Sequence, residues 1–237
     1  DSGYGRAGIR WDNYDAIISL AKQIQNAPYL KLEGILTHNG HAYISNTRRE
    51  ITAVYDESTT RLKIVREALL RAGIRDIKVS TGDTPCCSII EDFGGVDEIR
   101  PGNFVFYDVM QALKGVCNWD DLAVAVACPV VGKYADRKQI VIYGGAVHLS
   151  KERVQDQSVN SIFGYLTSGG EGTLGTPDLK APVVSLSQEH GIVQLKNEQF
   201  NCINIGDIVL VLPIHSCLTC DMYDEYLTLE GERVGKL

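Results

Sequence analysis

The first half of the chain alternates segments with helical and with strand-like hydrophobic patterns. Apolar residues recur at helical spacing through residues 11–27 and 50–72, whereas residues 32–37 and 77–80 are short apolar runs typical of buried strands. Gly73 follows the second helical pattern directly, where a glycine commonly ends a helix. This helix–strand–helix–strand order predicts parallel strands whose functional groups gather at the carboxyl ends of the strands.

The second half has a different pattern, made of short β-rich segments separated by turn residues. Its strand-like segments are residues 123–134, 139–143, 183–187, 191–195 and 207–211. This spacing predicts an antiparallel β domain. The change of pattern lies within residues 115–121, so we expect an α/β domain over 1–120 and a β-rich domain over 121–237.

The α/β part is too short for a complete (β/α)8 barrel, which takes about 250 residues. Residues 1–120 are sufficient for part of such a barrel. The chain opens on Asp1-Ser2-Gly3, which resembles the end of a strand. Two interpretations are open: a smaller α/β unit, or the C-terminal part of a longer protein whose N-terminal segment is missing.

Composition narrows the functional classes. The 237 residues are 44% hydrophobic and 22% charged, an ordinary globular balance. The net charge of −7 and the lack of a basic stripe argue against nucleic-acid binding. No apolar run reaches the roughly 20 residues that span a bilayer, so we expect no membrane partner. With no export signal, the seven cysteines are expected to be reduced thiols in the cytoplasm.

Polar or glycine-rich turns follow the predicted strands of the first half. They are residues 1–8, 38–43, 80–85 and 100–103. Glycine-rich turns let backbone N–H groups approach a phosphate, and hydroxyl side chains add donors, so residues 80–84 are a candidate phosphate site. Each turn alone is a weak signal, because most such turns only connect elements. Four of them at successive strand ends indicate a binding site more strongly.

A possible metal site follows the last strand-like run, 208–211. Residues i and i+2 of a strand share a face, so His215 and Cys217 are expected to point the same way. Imidazole with thiolate suits zinc, and so few ligands would leave open positions, as in catalytic zinc sites. Two other interpretations are that both side chains simply pack, or that Cys217 and Cys220 form a redox pair.

Taken in order, these motifs resemble a known family. The chain reads D-S-G-x-G-R-x-G, then G-I-L-T-H-N-G-H-A-Y, S-T-G-D-T-P and E-I-R-P-G-N-F-V-F-Y-D. The last motif in this order is P-I-H-S-C, residues 213–217. This order is similar to fold-type III pyridoxal-phosphate enzymes, the alanine-racemase-like proteins. Within them it most resembles the branch of D-serine dehydratases and D-threonine aldolases. The H-x-C ending resembles the zinc site of the dehydratases, whereas the aldolases tend to have H-x-D.

The resemblance implies a fold and a set of site residues. The fold is α/β plus β: a partial pyridoxal-phosphate-binding (β/α)8 barrel followed by an antiparallel β domain. His38 would lie by the cofactor ring, and His215 and Cys217 would bind Zn²⁺. Tyr43 and Tyr107 would line the pocket, without assigned roles. The remaining cofactor-binding residues would be those of two turns: Ser80, Gly82, Asp83 and Thr84 at the phosphate, and Arg100, Gly102 and Asn103 beside it.

Two departures from the family pattern matter. The family has a small or neutral residue at the position of Asp83, and a carboxylate beside a phosphate is unfavourable unless it points away. The Schiff-base lysine of the family lies on the first barrel strand, upstream of the motifs present here, and no lysine of this sequence matches its motif.

The implied activity is that of a lyase dependent on pyridoxal phosphate and zinc, which converts a small D-3-hydroxy amino acid to a keto acid and ammonia. Aldolase-like cleavage of the Cα–Cβ bond is one alternative, and a catalytically incomplete cofactor-binding homologue is another. The family also implies a homodimer.

Overall fold

The computed structural model describes residues 1–155, 160–167, 169 and 173–236. The chain forms two compact units, Asp1–Phe104 with Lys114–Val116 and Val105–Leu113 with Cys117–Leu237. The division between residues 120 and 121 stays a prediction about domains. In the structure, Val105–Leu113 belongs to the second compact unit.

The first unit contains a parallel sheet with helices between its strands. Strand β1 pairs with β2, and β2 pairs with β3, in both cases in parallel, as the alternating pattern predicts. The elements are α1 (Tyr14–Asn26), β1 (Gly34–His38), a 3-10 turn (Gly40–Ile44), α2 (Arg48–Arg71), β2 (Lys78–Gly82), α3 (Thr84–Ile89) and β3 (Glu98–Ile99).

Local signals fix both ends of α2. The Thr47 hydroxyl accepts a hydrogen bond from the Glu50 N–H at 3.2 Å, which caps the amino end. At the other end Gly73 has a φ of 85°, and the Ile74 N–H donates to the Leu69 carbonyl at 3.0 Å. A left-handed residue with this back-bond is the Schellman ending. The predicted stop at Gly73 is therefore confirmed.

The two faces of the parallel sheet are unequal. One face packs on the helices and buries Val79 and Thr81. The core beneath it comprises Ala21, Val65, Leu69, Ile74 and Ile77. On the opposite face Leu36 is 67% exposed, although neighbouring Thr37 is buried. Alternation along a strand explains the difference, since successive side chains point to opposite faces.

The second unit contains an antiparallel barrel, as the β-rich pattern predicts. Its strands close in the order β10-β5-β4-β11-β8-β9. The elements are α4 (Val109–Leu113), a 3-10 turn (Trp119–Asp121), β4 (Val126–Tyr134), β5 (Gln139–Tyr143), α5 (Ala146–Leu149), β6 (Val154–Gln155), β7 (Ser161–Ile162), β8 (Gly164–Thr167), β9 (Pro177–Leu186), β10 (His190–Gln194), α6 (Asn197–Cys202), β11 (Ile208–Pro213), α7 (Ser216–Asp221), β12 (Glu225–Leu227) and β13 (Arg233–Gly235).

Alternate residues of the barrel strands fill its interior. Val126, Cys128 and Val130 of β4 are buried, as are Ile140 and Ile142 of β5. This period of two is what a strand with one face towards a core shows. Strand β11 lies between β4 and β8 in the barrel. Its carboxyl end leads directly into the predicted metal motif.

Among the described residues, no helix is both long and apolar enough to cross a membrane.

Candidate active site

A buried polar cluster joins the carboxyl ends of β1 and β2 in the first unit. Its centre is Asn39, which is fully buried. The Asn39 side-chain amide donates to the Thr81 hydroxyl and to the Asp83 carboxylate, both at 3.1 Å. The sequence alone does not single out Asn39, because its partners lie more than 40 residues away along the chain.

Asp83 begins the helix that follows β2. One of its oxygens accepts from the Cys86 N–H at 2.7 Å, and the other accepts from Asn39. The carboxylate is thus turned towards the start of α3 and a buried amide. Burial raises the pKa of Asp83 above its usual 3.8, and these hydrogen bonds oppose the shift. Asp83 is an N-cap, which accounts for an acidic residue in this turn.

Two other nominated residues, Tyr43 and Asn103, meet at Thr84. The Thr84 N–H donates to the Tyr43 hydroxyl at 3.2 Å. The Thr84 hydroxyl accepts from the Asn103 N–H at 2.9 Å. The structure therefore brings the second, third and fourth predicted turns of the first unit into one hydrogen-bonded group.

Ser80 and Arg100 are also brought together. The Arg100 Nε donates to the Ser80 hydroxyl at 2.7 Å, and a second guanidinium nitrogen donates to the Thr37 carbonyl. The Ser80 hydroxyl in turn hydrogen-bonds the Glu98 carboxylate. Gly82 approaches Arg100 so closely that an added Cβ would lie 2.6 Å from the Arg100 carbonyl oxygen. Gly102 differs, since nothing lies within 4 Å of an added Cβ there.

The His38 ring is held at the end of β1. Its Nδ1 lies 2.8 Å from the Gly82 carbonyl oxygen. A carbonyl can only accept, so Nδ1 carries the proton. The rings of Tyr4 and Tyr43 flank His38, with centroids 6.1 and 6.0 Å away.

A cavity of about 230 Å³ lies beside this histidine. Of the nominated cofactor residues, His38 lines it, whereas the polar side chains of the predicted phosphate turn are hydrogen-bonded to residues outside that turn. Its lining is Asp1, Tyr4, Arg6, Ala7, Gly8, Leu36, Thr37 and His38. Aromatic rings and a guanidinium group suit a planar anionic ligand. The lining residues therefore suit a planar anionic ligand such as a pyridine ring that carries a phosphate, and the predicted phosphate turn contributes none of them.

The predicted metal ligands lie in the second unit, but their placement differs from the expectation. Strand β11 ends at Pro213, and His215 is the N-cap of α7. Cys217 is consequently in the first turn of a helix, not on the same strand face as His215. The strand-face argument was wrong because the chain turns into a helix immediately after Ile214.

His215 has a buried carboxylate partner. Its Nδ1 lies 3.0 Å from Asp108 Oδ2, and the Asp108 side chain has no exposed surface. The same oxygen accepts from the Ser216 N–H at 3.1 Å, and Oδ1 accepts from the Gln111 N–H at 3.0 Å. Asp108 was not nominated from the sequence, since His215 is 107 residues further along the chain.

The donor chemistry at His215 fits zinc. A histidine that gives its Nδ1–H to a carboxylate presents Nε2 as a ligand, which is the usual arrangement of metal-bound histidine. Cys217, two residues further on, is exposed. Although the residue as a whole is exposed, the protein atoms packed around its sulfur partly exclude water from the thiol. This desolvation and, after it, the negative charge of Asp108 raise the pKa of the Cys217 thiol. A bound cation would oppose that shift by favouring the thiolate.

His215 and Cys217 together would supply two ligand atoms to a metal. Among the described residues, no group of three or more His, Cys, Asp or Glu side chains is placed to hold a metal. Cys220 is a buried free thiol. A metal on His215 and Cys217 would retain open coordination positions.

Tyr107 has an unusual backbone. Its φ of 48° is in the left-handed region, which is rare for a bulky side chain. The residue packs against a cluster that includes Val109, Leu212 and Ile214. This turn places Asp108 at the amino end of α4, where its carboxylate accepts from the Gln111 N–H. Strain of this kind persists only where the surrounding structure imposes it.

Comparison with protein families gives two matches along the chain. Residues 1–109 match the alanine racemase N-terminal domain. Residues 123–229 match the serine dehydratase domain.

Curated relatives extend over the whole chain. D-serine dehydratase of Dictyostelium discoideum is 29% identical over 246 residues, covering 98% of this chain and 60% of that protein. D-threo-3-hydroxyaspartate dehydratase of Delftia sp. strain HT23 is 26% identical over 243 residues, covering 98% and 61%. The chain thus spans about 60% of the length of these relatives.

Solved structures agree on the fold. The Delftia sp. HT23 enzyme superposes with a TM-score of 0.85 at 25% identity, covering 97% of this chain and 62% of that one. D-threo-3-hydroxyaspartate dehydratase is also known with a histidine or a cysteine replaced by alanine, two positions apart, the cysteine variant in a metal-free form. D-threonine aldolase of Filomicrobium marinum has a TM-score of 0.78 at 18% identity, covering 98% and 59%, which shows the fold alone.

Proposed function

We propose that this chain, which belongs to the D-serine dehydratase branch of the fold-type III pyridoxal-phosphate enzymes, acts in a lyase for a small D-3-hydroxy amino acid. Its products would be a keto acid and ammonia, and it would depend on pyridoxal phosphate and zinc. The observation that carries the proposal is His215, held by Asp108 and followed by Cys217 two residues later. The same His-x-Cys spacing is the one substituted in the related hydroxyaspartate dehydratase.

The first unit would contribute to binding the cofactor. His38 and Arg6 line the cavity, and the Gly82 carbonyl of the predicted phosphate turn is hydrogen-bonded to His38. Pyridoxal phosphate, when bound, supplies an electron sink for charge that develops at the substrate Cα. The Gly82 carbonyl fixes the His38 ring by accepting from Nδ1, so the ring can support a flat ligand without rotating.

The second unit would contribute the metal ligands. Zinc on His215 and Cys217 would supply Lewis acidity to the β-hydroxyl, since hydroxide is a poor leaving group. The protein's own role is to orient the ligands. Asp108 holds the imidazole from behind, and the Ser216 N–H is bonded to the same carboxylate oxygen, which limits movement of the turn between His215 and Cys217.

Two other functions remain alternatives. Aldolase-like cleavage would use the same metal to hold the β-hydroxyl while the Cα–Cβ bond breaks. A cysteine two residues after the histidine favours dehydration, because the H-x-C ending resembles that of the D-serine dehydratases and not the H-x-D of the aldolases. The other alternative is a homologue that binds the cofactor without catalysis; no lysine among the 237 residues matches the family's Schiff-base motif. The homodimer and the cytoplasmic location stay predictions.

The deciding experiment is Cys217→Ala in the complete native protein, with Cys202→Ala as the matched control. Both thiols are exposed and lie in the second unit. We expect Cys217→Ala, or chelation of the wild type, to lower keto acid release from D-serine more than about 100-fold. Cys202→Ala should retain the wild-type rate.

The outcomes separate the alternatives. Unchanged dehydration by Cys217→Ala and by the chelated wild type would remove the metal from the proposal. Release of glycine and an aldehyde from D-threonine, without keto acid, would establish the aldolase. A wild type that binds pyridoxal phosphate but forms no product from either substrate would indicate the non-catalytic homologue.

A further inference from the structure

We propose that Asp108 is a positioning residue that selects the tautomer of His215 and so determines which ring nitrogen is offered to the metal. This inference rests on the proposed function, because it concerns the metal ligand named there. It adds a residue that lies 107 positions from His215 along the chain and contributes no metal ligand of its own.

The first argument is the directionality of the hydrogen bond. Nδ1 of His215 and Oδ2 of Asp108 are 3.0 Å apart. The same oxygen accepts from the Ser216 N–H at 3.1 Å, so it already acts as an acceptor. A carboxylate accepts only, and Nδ1 must therefore carry the proton. The lone pair of the neutral ring is then on Nε2.

The second argument is the rigidity of the carboxylate. Its other oxygen accepts from the Gln111 N–H at 3.0 Å, at the start of α4. The Ala112 N–H bonds the Asp108 carbonyl at 3.1 Å, and the Met110 N–H bonds the Ile214 carbonyl at 3.3 Å. Asp108 is thus fixed to α4 on one side and to the chain around His215 on the other. A carboxylate held in this way leaves the imidazole little freedom to turn.

The third argument is the energetic cost of the other tautomer. With the proton on Nε2, the Nδ1 lone pair would face the buried Asp108 oxygen at hydrogen-bond distance. Two acceptors in contact inside the protein repel each other, and a buried polar atom without a partner is unfavourable because it has lost its hydrogen bonds to water. The Nδ1–H tautomer is therefore the stable one before any metal arrives.

A purely structural role for Asp108 must be distinguished from this one. The carboxylate also caps α4 and bonds the Ser216 N–H, and both interactions would stabilise the fold without any metal. A loss of activity on substitution would not separate the two roles. The tautomer of His215 and the zinc affinity do separate them.

The first measurement uses the unsubstituted protein. Histidine ¹⁵N chemical shifts of the metal-free native protein, with His215→Gln to assign the signal, report which nitrogen is protonated. We expect Nδ1–H at neutral pH. A signal from the Nε2–H tautomer would overturn the inference whether or not any variant folds.

The second measurement is Asp108→Asn. The single amide oxygen cannot replace both carboxylate oxygens. Placed towards Nδ1 and the Ser216 N–H, it leaves the Gln111 N–H without an acceptor, and placed towards the Gln111 N–H, it leaves Nδ1 without one. In either orientation the charged acceptor opposite Nδ1 is lost, so we expect the ¹⁵N signals to show a larger share of the Nε2–H tautomer than in the wild type. We expect the zinc affinity, measured by competition with a chromophoric chelator, to fall about 10- to 100-fold. Asp121→Asn is the matched control, since Asp121 is also a cap in the second unit, accepting from Asn118 N–H. It should bind zinc as the wild type does.

The failures are distinguishable. If the wild type binds zinc and Asp108→Asn binds it equally tightly, the inference is wrong and the proposed function stands. If the wild type takes up no zinc, the proposed metal site and this inference are both wrong.

Discussion

At the scale of single residues, Asp83 shows how a side chain that looks unsuited to its place is used. Next to a phosphate a carboxylate would be repelled, yet here it is buried and caps α3. Its second oxygen accepts a hydrogen bond from the buried side-chain amide of Asn39, whose other acceptor is the Thr81 hydroxyl. The cap and the buried amide together explain why an acidic residue can occupy this turn.

Replacing Asp83 tests this role. Asp83→Ala should lower the free energy of unfolding by about 1–2 kcal/mol, because the cap is lost. Asp83→Asn should cost less, because an amide oxygen can still accept from the Cys86 N–H. Urea unfolding of the metal- and cofactor-free protein measures both. Equal losses for the two variants would show that the cap is not what stabilises this turn.

The contribution of Asp83 to the free energy of unfolding depends on pH with a definite sign. The folded-state pKa of Asp83 is raised above 3.8, so the folded protein binds more protons than the unfolded chain just above that pH. The contribution of Asp83 to stability is therefore largest below the unfolded value and declines as the pH rises through the folded pKa. The difference between wild type and Asp83→Asn should follow that decline. A difference that grows with pH would contradict the raised pKa.

At the scale of elements, β2 can lie close to Arg100, which follows β3, because Gly82 has no side chain. A Cβ on Gly82 would meet the Arg100 carbonyl oxygen at 2.6 Å and its Cβ at 2.7 Å. Backbone and Cβ atoms cannot move aside without shifting the strand. The close contact also accompanies the hydrogen bond between the Arg100 N–H and the Thr81 carbonyl, at 2.9 Å.

Gly82→Ala should therefore destabilise the first unit by about 1–3 kcal/mol, the usual cost of overpacking. Gly102→Ala is the matched control, since nothing lies within 4 Å of its added Cβ. Its free energy of unfolding should stay within about 0.5 kcal/mol of the wild type. Both are measured in the absence of cofactor, so that stability is separated from binding. A control as unstable as Gly82→Ala would show that steric contact is not the cause.

The sequence predicts some helices and strands correctly but does not show where β11 ends or which distant residues bond each other. The segment 139–143 is confirmed residue for residue as β5, because alternation and turn residues define it locally. The metal motif was different, since nothing local shows that β11 ends at Pro213 and that a helix begins at Ser216. Asn39 and Asp108 were missed for a related reason. Their importance lies in hydrogen bonds to distant residues, and a pattern along the chain does not contain those pairings.

At the scale of the whole molecule, the two faces of the parallel sheet differ in how far they are covered at Leu36 and Val79. Parallel sheets are normally covered on both faces. Here Leu36 is 67% exposed, while Val79 on the other face is fully buried. The two residues belong to adjacent strands of one sheet, so they compare the two faces directly.

A pair of truncations measures the difference between the faces. Leu36→Ala should change the free energy of unfolding by less than about 0.5 kcal/mol, as an exposed position does. Val79→Ala should cost about 2 kcal/mol, from lost burial and the cavity left behind. Chemical unfolding of the 237-residue chain gives both values. A large loss for Leu36→Ala would mean that something covers this face in solution.

The closure of the barrel has a consequence for how the chain can associate. A closed ring of strands offers no free edge, so the β10-β5-β4-β11-β8-β9 barrel cannot recruit a further strand without opening. In the described part of the first unit, β1 pairs with β2 alone and thus has one unpaired edge. In the same described part, β3 likewise pairs with β2 alone, so a further strand could add to this sheet at the outer edge of β1 or of β3. Residues along these two edges are the place to add a charge or a proline if the chain proves prone to aggregate.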